Sequence, residues 1–599
     1  MMKKLMTMLL CLILCFSAVA CGGDNSGEAG PSENQVVIEF FITDGGVGSE
    51  WLRLANERFM AKNATTAYGD KEGVFCRINK GQPSLASMAT DGYHVYFMDR
   101  TEPVASMAKT GNLLNINNWV TEAYDERDGK LMSIKDKMFE EYVNFPTADD
   151  GQYYGIPYME VYGGLTYDRK LFDDNGLYFA QEGKGTPYAC KRFDTNFEFI
   201  KKGDNASKTC GPDGEYGTED DGLPSTTLEL VTLWHRMNAR GIYPVQLSGK
   251  YLNYSDFFLD GIMTSLQGQQ EAYATYGLTG KMDVVVGYSD ENIFGDIDYI
   301  KKPIVKTVEI TEEQGYYTTW SVAKYYAIAL LEIIEKEGYF TKGNALSTYS
   351  HIDCQQDFIY SGYGANDKIG MLIEASYWYN ESTIRNNFLY FNTLFPEANG
   401  DRDIRWMSLP VNIEQQVTGK DETKTTSISG YSESVKGERP TLIDTSRSAI
   451  VFNSRVEKQP EVMAALEDWV KFFHTDEELS LFTVESNLAR PLNYQVKEEH
   501  KTGWNSFGSS LWELRKDSFV LRFDGNNETF YNNTSFFARG FQDGAFTCHS
   551  SLSPMEEFRG NKHGTKEAFE YGMRSKTSWS AMYQGGKTVT EDTNVKYSA

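Results

Sequence analysis

Two hydrophobic periods alternate along this chain, and the switches between them mark its elements. Val36–Ile42 (VVIEFFI) is a β-branched and aromatic run between polar stretches, which predicts a buried strand. It enters the glycine-rich turn 43–49, and then Leu52, Ala55 and Phe59 recur at helical spacing through residues 50–62, with Ser49 placed to cap the start. Strand, tight turn and helix in that order open an α/β domain. Tyr93–Met98 predicts the next buried strand, with Asp99 and Arg100 at its end, and Gly164–Tyr167 another after the Gly155-Ile156-Pro157 break. Residues 181–224 read as loop. Thr226–Arg240 predicts a helix: Thr226 and Glu229 form a capping box, Leu230, Trp234 and Met237 share a face, and Gly241 stops it. Lys368–Ile373 and Ser448–Phe452 predict strands, and Glu461–Phe473 an amphipathic helix with Val462, Leu466, Trp469 and Phe473 inward. No internal repeat appears, and the alternation predicts an α/β protein of at least two lobes.

One apolar run does not fit a fold. Lys3 and Lys4 precede the uncharged stretch Leu5–Ala20, which ends in small residues before Cys21. The run is short for a spanning helix and no basic cluster follows it, so residues 1–20 are expected to be a signal peptide. Ser17-Ala18-Val19-Ala20-Cys21 resembles a lipobox, which implies cleavage before Cys21 and lipid on its thiol, with Ala18 where Leu is usual. Residues 21–35 hold Gly, Ser, Asn and acid, a composition that buries nothing and serves as a flexible tether. The chain has 599 residues and a formal charge of −26, which argues against nucleic acid as a partner, since phosphates need basic surface. After the leader and Cys21, five cysteines remain without zinc-type spacing, and Cys190 and Cys210 bracket a loop that a disulfide could close.

Five stretches in order, FFITDGGVGSEW, TDGYHVYFMDRTEPVASMAKTGNLL, YYGIPYMEVYGGLTYDRKLF, KIGMLIEASYWYNES and SAIVFNSRVEKQPEVMAALEDWVKFFHTDEELSLFTVESNLARPL, resemble the extracellular solute-binding proteins of ABC importers, in the carbohydrate-binding group related to maltose-binding protein. The resemblance implies a two-lobed periplasmic-binding-protein-like fold of type II, with hinge and cleft, plus large insertions near 180–225 and beyond about residue 500. It implies crossings between lobes near Tyr153–Pro157 and between about 405 and 445. The expected division is 36–154 with about 441–495 as lobe 1, and 155–440 with about 496–599 as lobe 2. It also implies a sugar ligand, membrane permeases as partners, a lipid-anchored extracytoplasmic location, a monomer, and no enzymatic activity.

A sugar needs aromatic faces for its C–H patches and planar polar groups for its hydroxyls. Three clusters at element ends offer these. The first is Thr43, Asp44 and Ser49 with Trp51; the second is Asp99 and Arg100 with Tyr158, Glu160 and Tyr162; the third is Tyr377, Trp378 and Tyr379, where the family carries an aromatic that stacks on sugar, with Trp378 the chosen residue. Arg490 is a weaker candidate. Separately, Asp213, Glu215, Asp220 and Asp221 lie among glycines in a loop that resembles the Asp/Gly loops (DGxxGTxDDG) binding calcium in bacterial surface proteins, and structural Ca²⁺ is expected there. A peptide or other polar solute is the alternative ligand. A lipid-anchored glycan-active enzyme is the alternative function, although no GxSxG, HExxH or P-loop motif occurs.

Overall fold

The computed structural model describes residues 30–588 except 44, 100–103, 141–142, 144–145, 252–253, 342, 344–345, 399–401, 414–439, 447, 523–553, 561–562, 574 and 585–586. The leader, Cys21, Asp44 and Arg100 lie outside the described residues. In chain order, the strands that organise the fold are β1 (Val36–Ile42), β2 (Val74–Lys80), β3 (Val95–Met98), β4 (Gly155–Ile156), β5 (Gly163–Asp168), β6 (Ile242–Gln246), β7 (Gly280–Asn292), β8 (Lys301–Ile310), β9 (Lys368–Ala375), β10 (Ile404–Trp406), β11 (Thr441–Ile443), β12 (Ala449–Phe452) and β13 (Phe519–Leu521). The helices used below are α1 (Glu50–Lys62), α2 (Thr227–Ala239), α3 (Ser255–Gly277), α4 (Val322–Lys336), α5 (Trp378–Ile384), α6 (Pro460–Phe473), α7 (Asp476–Ser486) and α8 (Ser506–Asp517).

Two sheets carry the molecule. The first is five-stranded, in the order β2-β1-β3-β12-β4, with β1 parallel to β2 and β3, and β12 antiparallel to β3 and β4. The second is four-stranded, in the order β6-β9-β5-β10, with β9 parallel to β6 and antiparallel to β5. The chain leaves the first sheet after β4, builds the second, and returns to add β12, so each lobe is assembled from separated segments. The protein is a two-lobed α/β structure. Register brings Ile42 beside Phe97, Ala449 beside Met98, and Ala375 beside Gly163.

Local chemistry explains the elements. The Thr226–Glu229 capping box forms as expected, and Gly241 (φ 69°) follows the end of α2. Ser49 precedes α1 but makes no capping hydrogen bond from its side chain. β5 is buried along its length, and its opening Gly163 lets α3 lie directly on it: a Cβ there would sit 2.3 Å from the carbonyl oxygen of Phe257. α4 is apolar nearly all round and is enclosed by α3, α2 and the helices Pro554–Arg559 and Thr565–Tyr571. Residues 181–224, expected as loop, contain the hairpin Thr186–Cys190 with Thr195–Phe199, whose inward Phe197 and Phe199 pack on Phe179. Cys190 and Cys210 are buried, and among the described residues no disulfide joins them; burial pushes the Cys210 thiol up to about 12. β11 pairs with β13 and packs on α3, although the sequence placed residues 441–443 with lobe 1.

Candidate functional site

The three connections between the sheets run side by side. Residues 157–162 hydrogen-bond to the returning segment: the Val161 amide donates to Asp444 (3.0 Å), the Thr445 amide to the Val161 carbonyl (2.8 Å), and the Met159 amide to the Ser448 hydroxyl (3.1 Å). The Glu160 amide donates to Ala489, which ties in the third connection (2.9 Å). The Glu160 side chain is fully buried between Arg515 (2.5 Å) and Arg522 (2.6 Å), and the Tyr162 hydroxyl donates to it (2.5 Å). Burial alone would raise its pKa, but the two guanidiniums outweigh it and hold the carboxyl at about 2. Glu160 and Tyr162, expected from sequence as ligand contacts, are therefore turned into the hinge, because their partners lie far along the chain in a segment no local pattern connects to them. Arg490 is also inside: its Nη2 donates to Nε2 of His474 (2.6 Å) while Nδ1–H of that imidazole faces the Val470 carbonyl. Burial, then the Arg490 charge, keeps His474 neutral.

On the first lobe, Gly46 (φ 55°) and Gly48 (φ 71°) form the turn after β1 in a backbone region that favours glycine. Trp51 fixes that turn through its indole N–H to the Gly48 carbonyl (3.0 Å). Its ring is buried among Phe97, Tyr158, Phe473 and Phe482, so it supports the turn and presents no face to a ligand. Asp99 and Tyr158 are brought together as a pair, the tyrosine hydroxyl donating to the carboxylate.

On the second lobe, Trp378 is fully buried among Phe358, Tyr379 and Phe507 and donates to the Thr166 hydroxyl (3.0 Å). The expectation that it stacks on sugar is corrected here: α5 begins at this residue and points it into the core, where its one polar atom is satisfied. Tyr379 lies flat on Phe507 (centroids 5.0 Å, 11°). The neighbour Tyr377, half-buried, lies against the opposite lobe instead, close enough that a Cβ on Gly46 would come within 3.0 Å of its ring. Tyr377 continues into a group the sequence reading missed. Phe257 meets it edge-on (6.4 Å), Tyr254 meets Phe257 edge-on (5.3 Å) and stacks on His351 (5.0 Å, 23°), and Tyr251 is 37% exposed. The dense aromatic spacing of residues 251–258, YLNYSDFF, was the available signal. Polar groups flank these rings: Glu381 contacts His351 (3.4 Å) and accepts from Gln355 (2.8 Å). Asp256 is buried at the start of α3, where desolvation, then the Asp260 charge, pushes its carboxyl well above the usual range.

The lobes touch. Gly48 approaches Ile384, the Asn380 amide donates to the Ser486 carbonyl, and Asn487 donates to Asn380 (3.0 Å). A glycine turn from one lobe thus meets Tyr377 and Ile384 from the other.

The acidic loop is only partly gathered. Asp220 accepts from the Asp213 amide (3.2 Å) and the Thr218 hydroxyl (3.0 Å), and Asp213 accepts from the Glu215 amide (2.7 Å). Asp221 turns to the Gly217 amide (2.8 Å), and Glu215 is exposed. Among the described residues no group of three or more Asp, Glu, His or Cys side chains is arranged to hold a metal ion. Asp213 and Asp220 lie together but the four expected ligands are not gathered on one point, because Asp213, Asp220 and Asp221 each accept hydrogen bonds that close the loop on itself and Glu215 is exposed. Burial raises the pKa of Asp213, Asp220 and Asp221, and the Asp213 charge raises Asp220 further.

No protein-family model matches the chain. No curated protein matches it. Its structure is similar to that of a chitin oligosaccharide binding protein, at 14% identity and TM-score 0.48, over 92% of this chain and 100% of that one. It is also similar to a probable secreted solute-binding lipoprotein from Streptomyces coelicolor, at 12% identity and TM-score 0.45, over 91% and 100%. A third is a sugar transporter from Bacillus licheniformis in complex with stachyose, at 12% identity and TM-score 0.42, over 89% and 100%.

Proposed function

We propose that this chain is an exported, lipid-anchored receptor that closes its two lobes over a carbohydrate and delivers it to the permeases of an ABC importer. The observation that carries the reading is the meeting of the lobes: Tyr377, which continues into Phe257 and Tyr254, lies against Gly46 of the opposite lobe, beside connections that run side by side. Aromatic edges and faces on one side and a glycine-rich backbone turn on the other suit the C–H and hydroxyl surfaces of a sugar ring. Closure is the work such a site does, and no covalent step is assigned to it. A thermal-shift panel of neutral oligosaccharides, peptides and polyamines tests the ligand class, since a ligand bound only by the folded state raises Tm. Oligosaccharides are expected to shift the protein and the other classes to leave it unchanged; hydrolysis of the bound sugar would overturn the reading.

Tyr377→Ala and Tyr254→Ala are each expected to cost about 1–3 kcal/mol of binding, from lost ring area and stacking. Calorimetric titration against the best oligosaccharide measures this. Equal affinity in both variants would place the ligand elsewhere. The anchor has its own test: Cys21→Ser should release the chain from the membrane fraction into the medium.

For the acidic loop we propose Ca²⁺ as a structural ligand, held by Asp213 and Asp220 together with oxygens of the loop. Two facing carboxyls with raised proton affinity support this, as does the buried Oδ1 of Asp221, which has no hydrogen-bond partner among the described residues. Ca²⁺ at 100 times its Kd would add about 2.7 kcal/mol of stability. The gain is read as a rise in Tm that EDTA reverses and Asp220→Asn abolishes; no rise in the wild-type chain removes calcium from the loop.

A further inference from the structure

A second cavity, ≈ 420 Å³, opens beside the hinge, and its lining shares no residue with the cleft described above. It is bounded by Phe139 from the first lobe, by Asn493–Gln495 from the third connection, and by Trp512, Arg515, Lys516, Ser518 and Arg522 from α8 and the strand after it. Its lining contains three cationic side chains and no carboxylate, in a chain whose formal charge is −26. That contrast is local and built. Arg515 and Arg522 are both buried, and the single carboxylate between them is Glu160, which takes the Nε of each. Among the described residues the two guanidiniums share this one ion-pair partner, while Lys516 at the rim pairs with Glu513.

The donor geometry points the same way. Arg515 uses Nη2 on the Arg490 carbonyl (3.0 Å), whereas Arg522 has no hydrogen bond other than that from Nε to Glu160 among the described residues. Its planar end is stacked over the Phe139 ring at 3.8 Å, which holds the fork in place. Ser518 is 6% exposed, and its hydroxyl is buried with no hydrogen-bond partner among the described residues. A buried hydroxyl without a partner carries a desolvation cost that an incoming acceptor would relieve. The walls beside these donors are flat and apolar: the Trp512 ring meets Tyr494 at 5.2 Å and lies 5.1 Å from the Arg515 guanidinium.

We propose that this cavity is a second ligand site, for a small organic anion that carries a carboxylate or a phosphate monoester on a ring of monosaccharide size. Arg522, Ser518 and Lys516 take the oxyanion, and Phe139 and Trp512 flank the ring. Because the lining comes from both lobes and a connection between them, an occupant there also favours the closed arrangement of the lobes.

Titration calorimetry of the full mature chain with glucuronate, glucose 6-phosphate and neutral glucose tests the site. Both anions are expected to bind and glucose to give no heat at the same concentration. Ser518→Ala and Lys516→Gln leave the Glu160 ion pairs untouched, so they keep the fold, and each should weaken both anions at least fivefold. Arg522→Gln should weaken them at least tenfold. Retained oligosaccharide binding by Ser518→Ala would show that the cleft is intact. Absence of heat with both anions, equal binding of glucose, or unchanged anion affinity in all three variants would each overturn the proposal.

Discussion

Glu160→Gln is expected to cost about 3–5 kcal/mol of folding stability, measured as the shift in denaturant midpoint at constant m. The side chain is fully buried and is the shared partner of Arg515, Arg522 and the Tyr162 hydroxyl. Its amide replacement leaves two buried guanidiniums without their shared ion-pair partner. The same group fixes the acid limb of stability. Its carboxyl is held at about 2 against an ordinary 4.5, a depressed folded value. The contribution is therefore complete above pH 4.5 and is lost as pH falls from there toward 2, by about 3 kcal/mol. Glu160→Gln should lack that loss. Asp444 works in the opposite direction. Burial, then the Glu160 charge, raises it from 3.8 to about 6, so its share of stability is present below pH 3.8 and lost as pH rises through 6. Removing the Glu160 charge should shrink that second loss as well. Wild-type and variant stability measured from pH 2 to pH 8 reads both limbs; parallel curves would show that Glu160 is not the ionised centre of the hinge.

Trp378→Ala should be nearly as costly, about 3–5 kcal/mol, through the cavity it leaves among Phe358, Tyr379 and Phe507 and the orphaned Thr166 hydroxyl. The expected pattern is a large fall in stability with ligand affinity changed less than by Tyr377→Ala. The reverse pattern, weak binding at undiminished stability, would return Trp378 to the site. The conservative Trp378→Phe separates the contributions further: it keeps most of the volume, loses the indole donor, and should cost less than the alanine variant.

Much of the fold was legible along the chain. Val36–Ile42, the Thr226–Glu229 capping box and the 460–473 helix all follow from short-range patterns, and the structure has them at those places. The hairpin at 186–199 was not legible, because its strands are polar outside and bury few residues. The site was legible only as a neighbourhood. Sequence marked the turn after β1, the segment after Pro157 and the aromatic triplet 377–379. It chose Trp378 where the structure puts Tyr377 at the cleft, since a helix that starts at residue 378 decides which of three adjacent rings points inward.

The sequence by itself carried the α/β alternation, the apolar run Leu5–Ala20 before Cys21, the acidic balance and the likeness to solute-binding proteins, because each is written in residues near one another. Only the tertiary structure decided that Glu160 is a hinge ion rather than a ligand contact, that Tyr254 and Phe257 join Tyr377, and that Arg515 and Arg522 meet residue 160. Those outcomes depend on which distant segments share a low-dielectric interior. Burial and pairing there set the charge state and direction of a side chain, and neither is encoded in its immediate neighbours.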